Sequence, residues 1–240
     1  MKISIVTISY NQASFLEKAI QSVIEQDYKD IEYIVVDPGS TDGSRDIIEK
    51  YRSRITHVVL EPDQGPSDGL NKGFSHASGE IFGFINADDA LLPGALSKVS
   101  RYFEINSEID VVCGRGFIVD ADDRVLKHVI PTRCSKRLFA YGVVTFLQQS
   151  TFFKKSAFLE AGGFNQENRT SWDGELLLDM VMHDRKFGLL NDDLALFRIH
   201  ETSISGSGRL NEIYKKDCNR LFAKAIGRDM NYWDRLLARH

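Results

Sequence analysis

Cysteine is scarce in this 240-residue chain: Cys113, Cys134 and Cys218 stand far apart, with no Cys-x-x-Cys pair. That argues against a disulfide framework or a cysteine zinc site and leaves reduced thiols, as expected of a cytoplasmic protein. An excess of positive charge is missing too. At a formal net charge of −4 the chain lacks the basic balance typical of nucleic-acid binders, so no nucleic-acid partner is expected. No apolar run approaches the roughly 20 residues of a membrane span. Met1-Lys2-Ile3-Ser4-Ile5-Val6 runs straight into a strand-like segment, without a signal peptide's apolar core and cleavage site. Gly-x-Gly-x-x-Gly does not follow the first strand, and Gly-x-x-x-x-Gly-Lys-Ser/Thr occurs nowhere, which weakens dinucleotide-dehydrogenase and P-loop readings. Repeats and low-complexity segments are absent as well.

What is present is an alternation of strand and helix signals. Lys2 to Ile8 is β-rich, and the helix after it has Ser14 as its expected cap, with Phe15, Leu16, Ala19, Ile20, Val23 and Ile24 at helical spacing. Ile31 to Val36 reads as a second buried strand, ending in the turn cluster Asp37 to Gly43. A helix from Ser44 to Tyr51 follows, then a strand from Thr56 to Leu60 and a helix from Ser67 to Ala77. This order implies parallel strands joined by right-handed crossovers, as in a nucleotide-binding α/β unit.

The chain is organised around Ile81-Phe82-Gly83-Phe84-Ile85-Asn86-Ala87-Asp88-Asp89, an apolar run that breaks off in polar groups. Ile81 to Ile85 has the look of a strand buried on both faces. Its carboxyl end is where open α/β sheets place ligands. Adjacent carboxylates repel, so the pair suits a hard divalent cation that also bridges to phosphate. The plainer alternative is a solvated turn in which Asp88 or Asp89 caps a helix from about Pro93. Further on, Asp110 to Val119 reads as a strand whose Gly114 and Gly116 mark a bulge or the close approach of a ligand. Val125 to Ile130 is its expected hairpin partner. Phe146 to Lys154 is strand-like, Asp173 to Met182 helical, and Gly188 to Phe197 holds a short strand.

These motifs, in order and spacing, resemble the inverting family 2 glycosyltransferases of the GT-A fold. The resemblance lies in Ser4 to Asn11, Val35 to Gly43, Glu61 to Gly65, Asp68 to Gly73 and Phe84 to Asp89. It continues through Gln149 to Phe153, Gly162 to Phe164, Trp172 to Glu175 and Phe197 to His200. It implies an α/β, Rossmann-like mixed, mainly parallel sheet flanked by helices. Residues 1–207 would form the glycosyltransferase domain, with a nucleotide-binding half (1–92) and an acceptor-binding half (93–207). Residues 208–240 remain outside it as a basic amphipathic helical tail.

The resemblance also implies roles. Thr7 and Asp37 would contact the donor base, Asp37 accepting from a pyrimidine N–H, and Asp68 and Asn71 would line the same pocket. Asn86 stands where the family more often has the first acid of its Asp-x-Asp motif, which contacts the ribose. That departure leaves the metal, Mn2+ or Mg2+, mainly to Asp88, with Asp89 as helper and His200 as a late ligand. Asp173 would be the general base, which an acceptor hydroxyl needs as it attacks the anomeric carbon. Glu175 is the runner-up, and an acid favoured by a helix N-terminus is the plainer reading of Asp173. Trp172 suits stacking on an acceptor sugar or packing in the core.

The implied partners are a nucleotide-sugar donor, a UDP-sugar being favoured, and a glycan or lipid-linked acceptor of cell-surface polysaccharide synthesis. Competing readings are a sugar nucleotidyltransferase and a non-catalytic nucleotide-sugar-binding protein. In the tail, Lys and Arg interleave with Leu, Phe, Tyr and Trp, which suits either a peripheral contact at the inner face of the cell membrane or packing back on the domain. A homo-oligomer is left open.

Overall fold

The computed structural model describes residues 1–201, 203 and 210–238. Nine strands form one sheet: β1 (Ile3–Ile8), β2 (Ile31–Val36), β3 (His57–Val59), β4 (Ile81–Asn86), β5 (Ala90–Leu91), β6 (Val111–Val119), β7 (Val125–Val129), β8 (Thr151–Lys154) and β9 (Phe187–Arg198). Their spatial order is β3-β2-β1-β4-β8-β6-β9-β5, with β7 paired to β6. The helices are α1 (Ala13–Ile24), α2 (Ser44–Lys50), α3 (Pro66–Ser75), α4 (Ala95–Ile105), α5 (Lys136–Ala140), α6 (Lys155–Glu160), α7 (Trp172–Met182), α8 (Asn211–Ile226) and α9 (Tyr232–Leu237).

The opening half is all parallel. β1 lies between β2 and β4, and β3 extends β2, in a register that sets Ile8 beside Val36 and Asn86 and Val36 beside Val59. Four strand ends therefore lie along one edge. The second half is mixed: β8 runs antiparallel to β4 and β6, β6 runs parallel to β9, and β5 and β7 are short antiparallel additions.

Side chains alternate across the sheet with the two-residue period of strands. Ile3, Ile5, Ile81 and Ile85 meet Leu16, Ile20, Val23, Leu96 and Phe103 on the face covered by α1 and α4. Val6, Ile34, Phe82 and Phe84 meet Leu70, Phe74, Phe158, Leu176 and Met180 on the other, under α3, α6 and α7. The apolar run ahead of Asn86 is thus buried on both faces.

Several expectations change. Helix α1 starts two residues early, so Ser14 lies inside it; its N-terminal amides are met from across a turn, Gln12 N–H by Ser44 Oγ at 3.1 Å and Ala13 N–H by Asp42 Oδ2 at 2.8 Å. Neither Asp88 nor Asp89 caps a helix, because β5 intervenes and α4 begins after Gly94. Phe146 to Lys154 is not one strand: a 3-10 turn, Gln148–Ser150, precedes β8. For Gly114 and Gly116 the bulge alternative holds, with β9 and not a ligand filling the space. A Cβ at Gly114 would meet Leu194 at 2.3 Å and one at Gly116 the Ala195 carbonyl at 2.4 Å, where the β6–β9 register slips.

The expected boundary at 207/208 lies outside the described residues. Beyond it, α8 packs against α5 and α7. Arg220 and Lys224 reach back to Glu175, at 2.5 and 3.0 Å, and Phe222 is fully buried. Much of the tail's charge is consumed in this docking.

Candidate active site

A cleft of about 770 Å3 opens along the aligned strand ends. Ser9 and Tyr10 after β1, Pro38 and Gly39 after β2, and Asn86 to Asp88 at the end of β4 line it, together with Gln148, Gln149, Trp172 and Asp173. Asn11, at φ 52°, takes the left-handed turn that asparagine tolerates. Its amide N–H donates to Ser40 Oγ at 2.8 Å and its side chain accepts from Thr41 N–H at 2.9 Å, tying the first two strand-end loops together.

Four buried side-chain polar atoms among the described residues lack a hydrogen-bond partner, and three of them stand on this edge: Ser9 Oγ, Asp37 Oδ2 and Asn86 Oδ1. Leaving such an atom unpaired costs about 1–3 kcal/mol, so three together mark a place where water or a bound molecule completes their bonding. Asp37 shows the asymmetry well. Its Oδ1 accepts from Gly39 N–H (3.1 Å), Ser40 N–H (2.8 Å) and Arg45 Nε (3.1 Å), while Oδ2 has none.

Asn86 donates through Nδ2 to Asp89 Oδ2 at 3.0 Å, which holds its free oxygen at the cleft. Asp88 lines the cleft, and its Oδ2 lies 3.0 Å from His200 Nε2. Arg198 fixes that loop from below. Only 2% exposed, it donates to the Asp88 carbonyl (2.9 Å), the Asp120 carbonyl (2.8 Å) and Asp123 Oδ1 (2.6 Å). Phe15 packs against both Arg198 and His200.

Asp173 sits in the first turn of α7, half-buried at the cleft, with Oδ1 accepting from Gly174 N–H at 2.8 Å. Burial pushes its carboxyl above the usual range. Tyr214 of α8 lies within its electrostatic reach; burial, the Cys218 thiol and the Asp173 carboxylate together push that phenol up to about 12.

Other expected site residues are employed elsewhere. Asp89 is buried away from the cleft, and its oxygens accept from Arg198 N–H (3.0 Å), Gln149 Nε2 (2.6 Å) and Asn86 Nδ2 (3.0 Å). Burial, with Asp88 adding to it, pushes its carboxyl far up. It anchors the turn and offers no free oxygen to a cation. Thr7 is fully buried and hydrogen-bonded to Tyr33 OH at 2.9 Å, so the hydroxyl presented at the end of β1 is that of Ser9.

Asp68 and Asn71 hold a strap, residues 163–171, that crosses from the second half. Asp68 Oδ1 accepts from Gln166 Nε2 at 3.0 Å, and Asn71 pairs twice with the Phe164 backbone, at 2.8 and 2.9 Å. Glu175, the runner-up base, is 1% exposed and turned to α8. Burial alone would raise its carboxyl, but hydrogen bonds from Arg220, Asn165, Asn168 and Lys224 outweigh that and hold it at about 2. The residues missed in sequence are Ser9, Tyr10, Asp63 and Gln148. Only their place in the quoted motifs, or next to one in the case of Gln148, could have drawn attention to them.

Among the described residues no three His, Cys, Asp or Glu side chains form a ready-made cation cage. Asp88 and His200 still present a carboxylate oxygen and an imidazole nitrogen at one point, a set that fits Mn2+, or Mg2+ less well, if diphosphate and water complete the shell.

A mixed sheet with a ligand cleft on its parallel half and an acid facing it from the second half defines the GT-A class of fold. Residues 4–162 match the family described as glycosyl transferase family 2, and the chain belongs to that family. It is 35% identical over 129 residues to an uncharacterized glycosyltransferase of Nostoc sp., covering 52% of this chain and 40% of that one. It is 39% identical over 104 residues to a Campylobacter jejuni GalNAc(5)-diNAcBac-PP-undecaprenol beta-1,3-glucosyltransferase, covering 42% and 34%. The chain thus spans well under half the length of these two relatives. In structure it resembles S. aureus TarS 1-349 in complex with UDP-GlcNAc, with a TM-score of 0.75 at 20% identity over 96% of this chain and 68% of that one. The mannosyltransferase of Pyrobaculum calidifontis in complex with GDP-Man and Mn2+ gives 0.72 at 18%, over 97% and 66%.

Proposed function

We propose that the chain is an inverting glycosyltransferase. It moves a sugar from a nucleotide-diphosphate donor, a UDP-sugar being favoured, to a hydroxyl of a glycan or lipid-linked acceptor in cell-surface polysaccharide synthesis. The observation that carries this reading is the row of unpaired polar atoms, Ser9 Oγ, Asp37 Oδ2 and Asn86 Oδ1, along the edge that also bears Asp88. Asp37 Oδ2 is an acceptor held in place by its own three-way bonded Oδ1, which suits a pyrimidine imide N–H. Tyr10, exposed at the cleft, offers a face for the base to stack on. The Asn86 amide oxygen accepts from a ribose hydroxyl.

Asp88 and His200 are the residues that would hold a divalent cation, Mn2+ or Mg2+, which offsets the charge gathering on the departing diphosphate. Asp173 takes the proton from the acceptor hydroxyl as it attacks the anomeric carbon. Its raised carboxyl pKa makes it a better base than an exposed aspartate. One displacement with one base inverts the anomeric centre. The acceptor reading draws on the Campylobacter relative, whose name specifies an undecaprenol-linked glycan, and on the Bacillus subtilis relative described as a putative teichuronic acid biosynthesis glycosyltransferase.

A donor panel tests this. With Mn2+ and a UDP-, GDP- or TDP-sugar, the protein slowly releases nucleoside diphosphate. Pyrophosphate release from sugar phosphate and nucleoside triphosphate would show a nucleotidyltransferase instead, and no turnover together with tight binding would show a non-catalytic binder.

A further inference from the structure

α8 packs against α5 and α7, and α9 is tied to the end of α5. Tyr141, at the end of α5, donates to Asp234 Oδ1 of α9 at 2.7 Å, and Arg228 joins the same carboxylate at 2.5 Å. α9 is a built helix and not a frayed end. Asn231 caps it reciprocally with Asp234, which is buried toward the domain. At about 100° per residue, Tyr232, Trp233, Leu236 and Leu237 fall on one arc facing away from Asp234. All four are exposed, by 69%, 70%, 60% and 67%.

The charge around this face is one-sided. Glu212 and Asp217 are each paired with a cation of α8, and Asp234 with Arg228 of the α8–α9 connection. Arg133, Lys136, Arg137, Lys216 and Arg235 make no ion pair among the described residues, and Asp229 is the one acid of α8, α9 and their connection in the same position. Of these cations Arg235 belongs to α9 itself, and Lys136 and Arg137 belong to α5, whose end bonds Asp234, so unpaired cations accompany the four exposed side chains.

We infer that α9, flanked by these cations, docks the protein on an anionic lipid surface. Tyr and Trp favour the water–lipid boundary because one part of each ring system is apolar and another polar. Leu236 and Leu237 add apolar depth, and nearby cations meet lipid phosphates, each contributing about fivefold in affinity. A second copy of the chain is a poorer occupant: four side chains offer less than the about 800 Å2 per partner of a stable interface. The inference does not rest on the transfer reading, although it would bring the cleft to a lipid-linked acceptor.

The test is flotation with phosphatidylcholine vesicles containing about one-third phosphatidylglycerol, against phosphatidylcholine alone, with tryptophan emission recorded in parallel. The chain has two tryptophans and Trp172 is buried, so a blue shift reports Trp233. The protein is expected to float only with anionic vesicles, with a blue shift. Binding should fall as salt is raised from about 0.1 to about 1 M, which shortens the Debye length from about 10 to about 3 Å. Trp233→Asp/Leu236→Asp and Arg137→Glu/Arg235→Glu should each lose more than about tenfold in vesicle affinity, with circular dichroism and melting temperature unchanged. Absence of flotation, or flotation untouched by both variants, overturns the inference. So does a dimer in light scattering that Trp233→Asp/Leu236→Asp dissolves, which would give the face to a second copy. Nucleoside diphosphate release without vesicles is read separately, so failure of the docking and failure of the transfer reading are distinguishable.

Discussion

His200 Nε2 and Asp88 Oδ2 lie 3.0 Å apart, although 112 positions separate them in the chain. Asp88 ends the organising strand and His200 follows β9, and buried Arg198 joins the two by holding the Asp88 carbonyl. Asp88→Asn and His200→Ala are each expected to weaken Mn2+-dependent UDP binding about 10- to 100-fold, the range seen when partners of a metal site are removed. Calorimetry with and without chelator measures it. Unaltered Mn2+-dependent affinity in both variants would take the pair out of the site.

Asp37→Asn swaps one carboxylate oxygen for an amide. If the amide nitrogen takes the place of Oδ2, a donor meets a donor at a pyrimidine N–H, and UDP affinity falls by about 1–3 kcal/mol, or roughly 5- to 150-fold. GDP-sugar binding, titrated beside it, should not fall in proportion. Equal losses for both nucleotides would mean that Asp37 shapes the loop and does not read the base.

Thr7→Val removes the partner of the buried Tyr33 hydroxyl. The expected cost is about 1–3 kcal/mol of stability, with each kcal/mol lowering the melting temperature by about 2–4 °C. Donor affinity should be retained. A donor-binding defect in a variant of unchanged melting temperature would restore Thr7 to the nucleotide pocket.

Glu175 links stability to pH. Its folded carboxyl lies at about 2, below the ordinary 4.5, so the stabilisation it gives is present above about 4.5 and drains away as pH falls toward 2. Below pH 4.5 the docking of α8 through Arg220 and Lys224 weakens. Melting curves across this window should fall steeply for the parent. Glu175→Gln should start lower at neutral pH and fall less. Parallel curves for the two would mean that Glu175 carries no proton linkage.

The strand ends were legible in sequence because parallel crossovers force them to one edge, so Asp37, Asn86 and Asp88 could be grouped without coordinates. The direction of a side chain was not. Asp68 and Asn71 sit on the helix expected, yet they turn to a strap about a hundred residues away whose path no local pattern encodes. Asp89 neighbours Asp88, but successive residues in this turn face opposite ways, and its oxygens go to Arg198, Gln149 and Asn86. Thr7 lies inside β1, where its hydroxyl meets Tyr33, whereas Ser9 lies past the strand's end at the cleft. The tail's basic helix looked amphipathic in sequence, and only packing separates α8, spent on Glu175 and Asp179, from the exposed α9.

The most direct check on the whole account is sugar transfer by Asp173→Asn, measured together with donor affinity. The variant keeps the shape of the side chain and its bond to Gly174 N–H but cannot take a proton at neutral pH. Donor affinity should hold, since the nucleotide is assigned to Ser9, Asp37, Asn86 and Asp88, and transfer should drop about 100- to 10,000-fold. Transfer near the parental rate, or a loss of donor binding that accounts for the whole defect, would contradict the assignment of Asp173 as the base.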